Sequence, residues 1–116
     1  IEIGKAIVLE GILFEAGKTT IAPSSATVLL RALQTLRENP EINVEIRGFT
    51  DNVGSYASNM RLSQQRAETV RAWLILRGIE ARRLTAKGFG PLYPLADNAT
   101  PEGRARNRRI EFFRTK

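Results

Sequence analysis

The sequence contains neither histidine nor cysteine. Without cysteine there is no disulfide, no cysteine–zinc or iron–sulfur site and no thiol nucleophile. Without histidine there is no Ser-His-Asp triad, and the commonest general base and metal ligand are missing. Composition alone therefore excludes most familiar enzyme chemistries, and no catalytic residue, metal or cofactor is expected. Long hydrophobic runs are missing too. Nothing approaches the roughly 18–20 consecutive apolar residues that span a bilayer, and no signal peptide is visible. The chain opens on Ile1 instead of methionine and is read as a fragment or a processed product, with any anchor or targeting segment lying upstream.

What is present fits a single globular domain over residues 1–116. The chain is 42% apolar and 26% charged, and a domain of this length can bury roughly 65% of the surface its unfolded form exposes. The formal charge of +6 is unevenly placed. Residues 1–81 carry nine basic and nine acidic side chains, whereas residues 82–116 carry nine basic and three acidic. Arginine outnumbers lysine 14 to 4, and arginine offers a planar fork suited to carboxylates and phosphates. Three readings of that basic third stand open: a nucleic-acid tail, a site for ligands bearing carboxylates, or a solvated basic face.

Residues 6–15, AIVLEGILFE, are rich in Ile, Val, Leu and Phe and predict a buried or half-buried strand. The run 16–25 has loop composition. Ser24 or Ser25 is placed to cap a helix ending near Glu38, with Leu29, Leu30, Leu33 and Leu36 at helical spacing and Asn39-Pro40 as its stop. Residues 42–49 alternate, with Ile42, Val44 and Ile46 on one face and Glu45 and Arg47 on the other. A turn at 50–55 leads into a long helix that ends at Arg77, with Gly78 as its stop. Residues 82–89 predict a third strand, 90–105 a long loop and 107–114 a last strand. The order β-α-β-α-β-β predicts an α/β (α+β) sandwich, a mixed four-stranded sheet with two principal helices on one face.

In such sheets, sites gather at the carboxyl ends of strands and at helix N-termini, and Asp51 is in that place. An Asp-Asn turn before glycine accounts for it equally well. On the long helix, at 100° per residue, Leu62, Val70 and Trp73 lie within about 40° of Arg66, which puts Arg66 on the apolar stripe with Asn59 on nearly the same line. An arginine facing a core needs a partner, and Asp51 is the natural one. A structural ion pair and a ligand site both satisfy this spacing. Arg77 lies on the same line but at the last turn, where water or the helix dipole is within reach. In the last strand Arg108 shares a face with Ile110 and Phe112, while Arg109 shares the other with Glu111 and Phe113. Arg104 and Arg106 are expected to be solvated loop charges.

The run GFTDNVGS at 48–55, Asn59, LSQQRAETVRAWL at 62–74, Gly78-Ile79, Gly88-Phe89-Gly90 and NATPEGRARNRRIEF at 98–112 together resemble the OmpA-like C-terminal domain. That family includes periplasmic domains of outer-membrane protein A, of peptidoglycan-associated lipoprotein and of the flagellar stator B subunit. The resemblance spans residues 7–113, and its TDxxG, NxxLSxxRA and NRR motifs are specific in combination. Many members carry histidine before the Thr-Asp pair, where this chain has Phe49. The resemblance implies non-covalent binding of peptidoglycan through the diaminopimelate of the stem peptide, by a periplasmic, outer-membrane-associated domain of a larger envelope protein. The domain itself would not be membrane-inserted, and the full-length protein would be attached to the outer or inner membrane. By motif match, Asp51 and Arg66 would be the main contacts. Thr50, Asn59, Leu62 and Ser63 would line the pocket. Arg108 would either buttress it or hold the strand end.

Two other classes are weighed against this. A nucleic-acid-binding domain would suit the basic third, but no aromatic platform is interleaved with the basic residues and no phosphate loop or DNA-binding motif is present. A hydrolase using Asp51 as base is disfavoured, because an arginine beside a carboxylate pulls its pKa down and makes it a poor base at neutral pH.

Overall fold

Residues 3–9, 14, 19 and 21–116 are described by the structure, a computed structural model. The alternating run becomes β2 (Val44–Phe49), the centre of a four-stranded sheet. It pairs in parallel with β3 (Leu84–Gly90) and antiparallel with β4 (Arg109–Arg114). β4 pairs antiparallel with β1 (Ala6–Leu9), giving the order β1-β4-β2-β3. Ile42, Val44 and Ile46 face inward as the alternation predicts, and join Leu9, Leu84, Ile110 and Phe112 in one core. Helix α1 (Ala26–Glu38) adds Leu29, Leu33 and Leu36, and α2 (Tyr56–Leu76) adds Ala67, Val70 and Leu74 to the same core.

The differences from the sequence reading are local. Of the expected first strand, residues 6–9 are strand, and 10–13 and 15 lie outside the described residues. Residues 16–18 and 20 of the expected loop lie outside them as well. No serine side chain caps α1, because Ser25 already has helical backbone angles at the end of a 3-10 turn, Pro23–Ser25. Residues 81–83 form a second 3-10 turn, so β3 begins at Leu84. The expected loop at 90–105 contains the start of a third helix, α3 (Pro101–Asn107). Thr100 caps it by accepting from Gly103 N–H at 3.0 Å, Pro101 fits its first turn, and Glu102 favours the positive helix end. Asn107, fully buried, then ties the loop to the helix by accepting from Leu95 N–H at 2.7 Å and Ala96 N–H at 2.9 Å.

Three glycines decide how α2 meets the sheet. A methyl group on Gly48 would run into the Ser63 carbonyl, and one on Gly88 into the Gln64 amide. Gly90 takes φ 58 beside Met60 where the β2–β3 register shifts. The helix backbone therefore rests directly on β2 and β3. Its side chains also cover the outer edge of β3. Gln64 donates to Ala86 O at 3.0 Å and accepts from Gly88 N–H at 2.7 Å, and Arg71 donates to Leu84 O at 2.9 Å. An edge satisfied this way cannot recruit another strand.

Arg83 locks the α1–β2 connection. It is buried and donates to Ile42 O at 3.0 Å, Leu36 O at 2.9 Å and Asn39 O at 2.9 Å. Leu36 O and Asn39 O lie at the C-terminal end of α1, where helix carbonyls lack intrahelical donors, and Asn39 O also accepts from Ile42 N–H at 3.1 Å. Arg83→Ala is expected to cost about 2 kcal/mol, read as a lower thermal midpoint by circular dichroism. Arg83→Lys is expected to recover little of it, since one ammonium cannot reproduce a planar fork spread over three carbonyls.

Candidate functional site

The carboxyl ends of β2 and β3, the start of α2 and the start of β4 meet at one end of the sheet. Asp51 sits there, just past β2, with 8% of its surface exposed. One carboxylate oxygen, Oδ1, accepts from Val53 N–H at 2.9 Å and shapes the turn into α2. The other, Oδ2, accepts from Arg108 Nη1 at 2.6 Å. The strand-end ion pair of Asp51 is thus with Arg108, where the helix spacing had pointed to Arg66. Arg66 completes the cluster through the electric field. Burial holds its guanidinium below the usual arginine value, the charge of Arg108 pushes the same way, and Asp51 opposes both. Arg66 is 7% exposed, with its guanidinium 4.8 Å from the centre of the Phe14 ring. Asp51 therefore meets two arginines, Arg108 through a direct bond and Arg66 through its charge.

The other candidate residues divide by role. Thr50 is buried, donates its hydroxyl to Asp51 O at 2.7 Å and its N–H to Gly90 O at 2.8 Å, and so fixes where Asp51 leaves the strand. Asn59 donates to Val53 O at 2.9 Å and holds the turn against α2. Leu62 is half-buried on the same helix. Ser63 is fully enclosed; it donates to Met60 O at 2.9 Å and accepts from Gly90 N–H at 2.8 Å. Its hydroxyl is occupied on both sides, so it joins helix to strand and presents no surface to a ligand. Arg108 holds Asp51 while 46% of its side-chain surface stays open, which suits both buttressing and contact.

Several arginines of the basic third are engaged by other groups of the fold, which weakens the case for a nucleic-acid tail. Arg83 serves three carbonyls, Arg82 pairs with Glu80 at 2.8 Å, and Arg108 pairs with Asp51. Arg104 is half-buried within α3 and donates to Asn98 O at 2.9 Å, so it is not the solvated loop charge expected; Arg106 is exposed. Arg109 lies on the sheet face away from the helices. It pairs with buried Glu111 at 2.6 Å and stacks 3.8 Å over Phe49, while Arg47 stacks 3.8 Å over Phe113. Phe49 therefore packs on the reverse face under Arg109. The alternation of residues 108–113 had separated these faces, but the stacking of arginine on phenylalanine has no one-residue signature.

The model of the OmpA family matches residues 13–108. The chain belongs to that family. A relative in Escherichia coli (strain K12), named Probable lipoprotein YiaD, is 43% identical over 84% of this chain and 45% of its own length. The Peptidoglycan-binding protein ArfA of Mycobacterium bovis is 42% identical over 79% of this chain and 28% of its own. The OmpA-family chain thus spans less than half the length of these relatives. The solved structure of the cell wall anchor of the type VI secretion system (T6SS) from Pseudomonas aeruginosa matches with a TM-score of 0.78 at 33% identity, covering 92% of this chain and 76% of that one. Among the described residues, no helix of this OmpA-family domain is long and apolar enough to cross a membrane.

Proposed function

We propose that this domain binds peptidoglycan non-covalently through the diaminopimelate of the stem peptide and fastens an envelope protein to the cell wall. The observation that carries it is the cluster of Arg66, Asp51 and Arg108 at the end of the sheet. The free end of diaminopimelate is a zwitterion. Its ammonium goes to Asp51, and its carboxylate goes to Arg66 and to the N–H groups at the start of α2, through charge-assisted bonds. Thr50, Asn59 and Ser63 hold these groups in place, Leu62 lines the pocket, and Arg108 keeps the Asp51 carboxylate aimed. No catalytic step is proposed for the domain, which has no histidine or cysteine to act as base or nucleophile. Its place is the periplasm, in a protein attached to the outer membrane by preference. The names of ArfA and of the secretion-system anchor support the wall as partner.

Calorimetry with matched stem peptides tests this. Diaminopimelate differs from lysine by the carboxylate on its far carbon. Losing one charge-assisted bond costs about 1.5–3 kcal/mol, so lysine-type peptide is expected to bind roughly 10- to 150-fold more weakly. Peptide with that carboxylate amidated is expected to weaken in the same direction. Equal affinity for all three would mean that the wall is held through its glycan or by non-specific charge.

A further inference from the structure

Tyr93 is the one non-glycine residue with positive φ among the described residues, at φ 54. It lies between Pro91 and Pro94 in the turn that leaves β3. A tyrosine is strained in this region unless its surroundings impose it. Here they do. The Tyr93 carbonyl accepts from Arg109 Nη2 at 2.9 Å, and Arg109 is itself fixed by Glu111 and by the Phe49 ring. The Tyr93 ring meets Phe89 edge-on with centroids 5.9 Å apart, and Phe89 stacks on Phe49 at 5.2 Å. Yet Tyr93 stays 69% exposed, with its ring covered on the Phe89 side. A strained backbone that holds a large ring out to water is explained by what the ring meets there.

Its position narrows the choice. Gly90, three residues before Tyr93, accepts from Thr50 N–H at 2.8 Å, and Arg108, next to Arg109, pairs with Asp51. Across the Gly90–Thr50 pair and at 3.8 Å per Cα step, Tyr93 is tethered within roughly 20 Å of Asp51. In peptidoglycan the glycan is joined to the stem a few residues from its diamino acid, so the sugar lies about 10–15 Å away at 3.3–3.6 Å per residue. We infer that Tyr93 is a stacking subsite for a sugar ring of the glycan strand. This rests on the proposed function and extends it from peptide to sugar. A pyranose presents an apolar C–H face, which packs flat on an aromatic ring, and a ring already held rigid loses little freedom on binding.

The test compares a disaccharide-peptide with the same stem peptide lacking sugar, by calorimetry. Tyr93→Ala is expected to weaken the disaccharide-peptide about 2- to 10-fold and leave the bare peptide unchanged, while Tyr93→Phe keeps both. Tyr93→Gly relieves the backbone, so it is expected to melt at or above the native temperature and still lose the same factor. Loss for neither ligand, or equal loss for both, overturns the sugar subsite and leaves the peptide pocket standing. A Tyr93→Gly variant that melts lower also overturns it, because the ring would then be serving the fold. A native chain that fails to bind the bare peptide strikes the proposed function, and this inference with it.

Discussion

Asp51→Asn is expected to bind sacculi at least about 30-fold more weakly than the native chain while melting close to it. Asparagine keeps the shape of aspartate and keeps an oxygen for Val53 N–H, the bond that forms the turn into α2. It removes the charge and the acceptor of Arg108 Nη1, and the Arg108 side chain is 46% open to water. The ligand ammonium then has no counter-charge, and Arg108 loses its carboxylate partner. Truncating one member of a desolvated charge pair costs about 2–5 kcal/mol, and 2 kcal/mol is already near 30-fold. Asp51→Ala is expected to lose binding equally and some stability besides, since Val53 N–H loses its acceptor. Arg66→Ala is expected to match Asp51→Asn, because it removes the other half of the zwitterion clamp. Arg106→Ala is the fitting control, being exposed, whereas Arg104 supports Asn98 and would disturb the loop. Co-sedimentation with purified sacculi reads all of these. Native binding by Asp51→Asn would remove the pocket from the proposal.

Asp51 and Arg66 could be found in the sequence because each breaks a local rule. An arginine at the spacing of Val70 contradicts an apolar stripe, and a carboxylate at a strand end stands where backbone N–H groups collect. Their true pairing could not be found so, because it depends on where β4 enters. Arg108 lies 57 residues from Asp51, and nothing local sets that distance. The register of β4 against β2, with Phe49 opposite Arg109, is what brings Arg108 beside Asp51. Helix α3 is a different case. Thr100, Pro101 and Glu102 form a start signal that is plain on inspection, but Gly103 and the flanking prolines read as loop. Gly103 is there because the Asp97 carbonyl occupies the space a side chain would need, a tertiary reason for a residue that weakens helices locally. The reverse face of the sheet shows the same limit. Alternation places Arg47, Phe49, Arg109, Glu111 and Phe113 together, yet which arginine lies on which ring follows from the pairing of strands.

Gly88→Ala is expected to cost at least about 3 kcal/mol, at the upper end of the effects of overfilling a packed site. In a domain of about 100 residues this lowers the thermal midpoint by roughly 10–25 °C. The added methyl would meet the Gln64 backbone amide and the Ser63 hydroxyl, and neither can swing aside. Gln64 also binds both sides of that point, at Ala86 O and Gly88 N–H, and the Ser63 hydroxyl holds Gly90 N–H. Relief requires α2 to lift from β3, which breaks those bonds together. Gly48→Ala is expected to behave alike, since its methyl would meet the Ser63 carbonyl from the neighbouring strand. Gly54→Ala is the contrast. Gly54 has φ 89 but open space around it, so the penalty is conformational and near 1 kcal/mol. Lifting α2 also carries Arg66 away from Asp51, so the folded fraction of Gly88→Ala is expected to bind sacculi poorly, while folded Gly54→Ala binds in proportion to its amount. Melting curves followed by circular dichroism separate the two kinds of glycine. A Gly88→Ala midpoint within about 5 °C of native, a shift worth about 1 kcal/mol, would mean that α2 yields to the methyl, and that the site tolerates a looser seat for Arg66 than direct backbone contact implies.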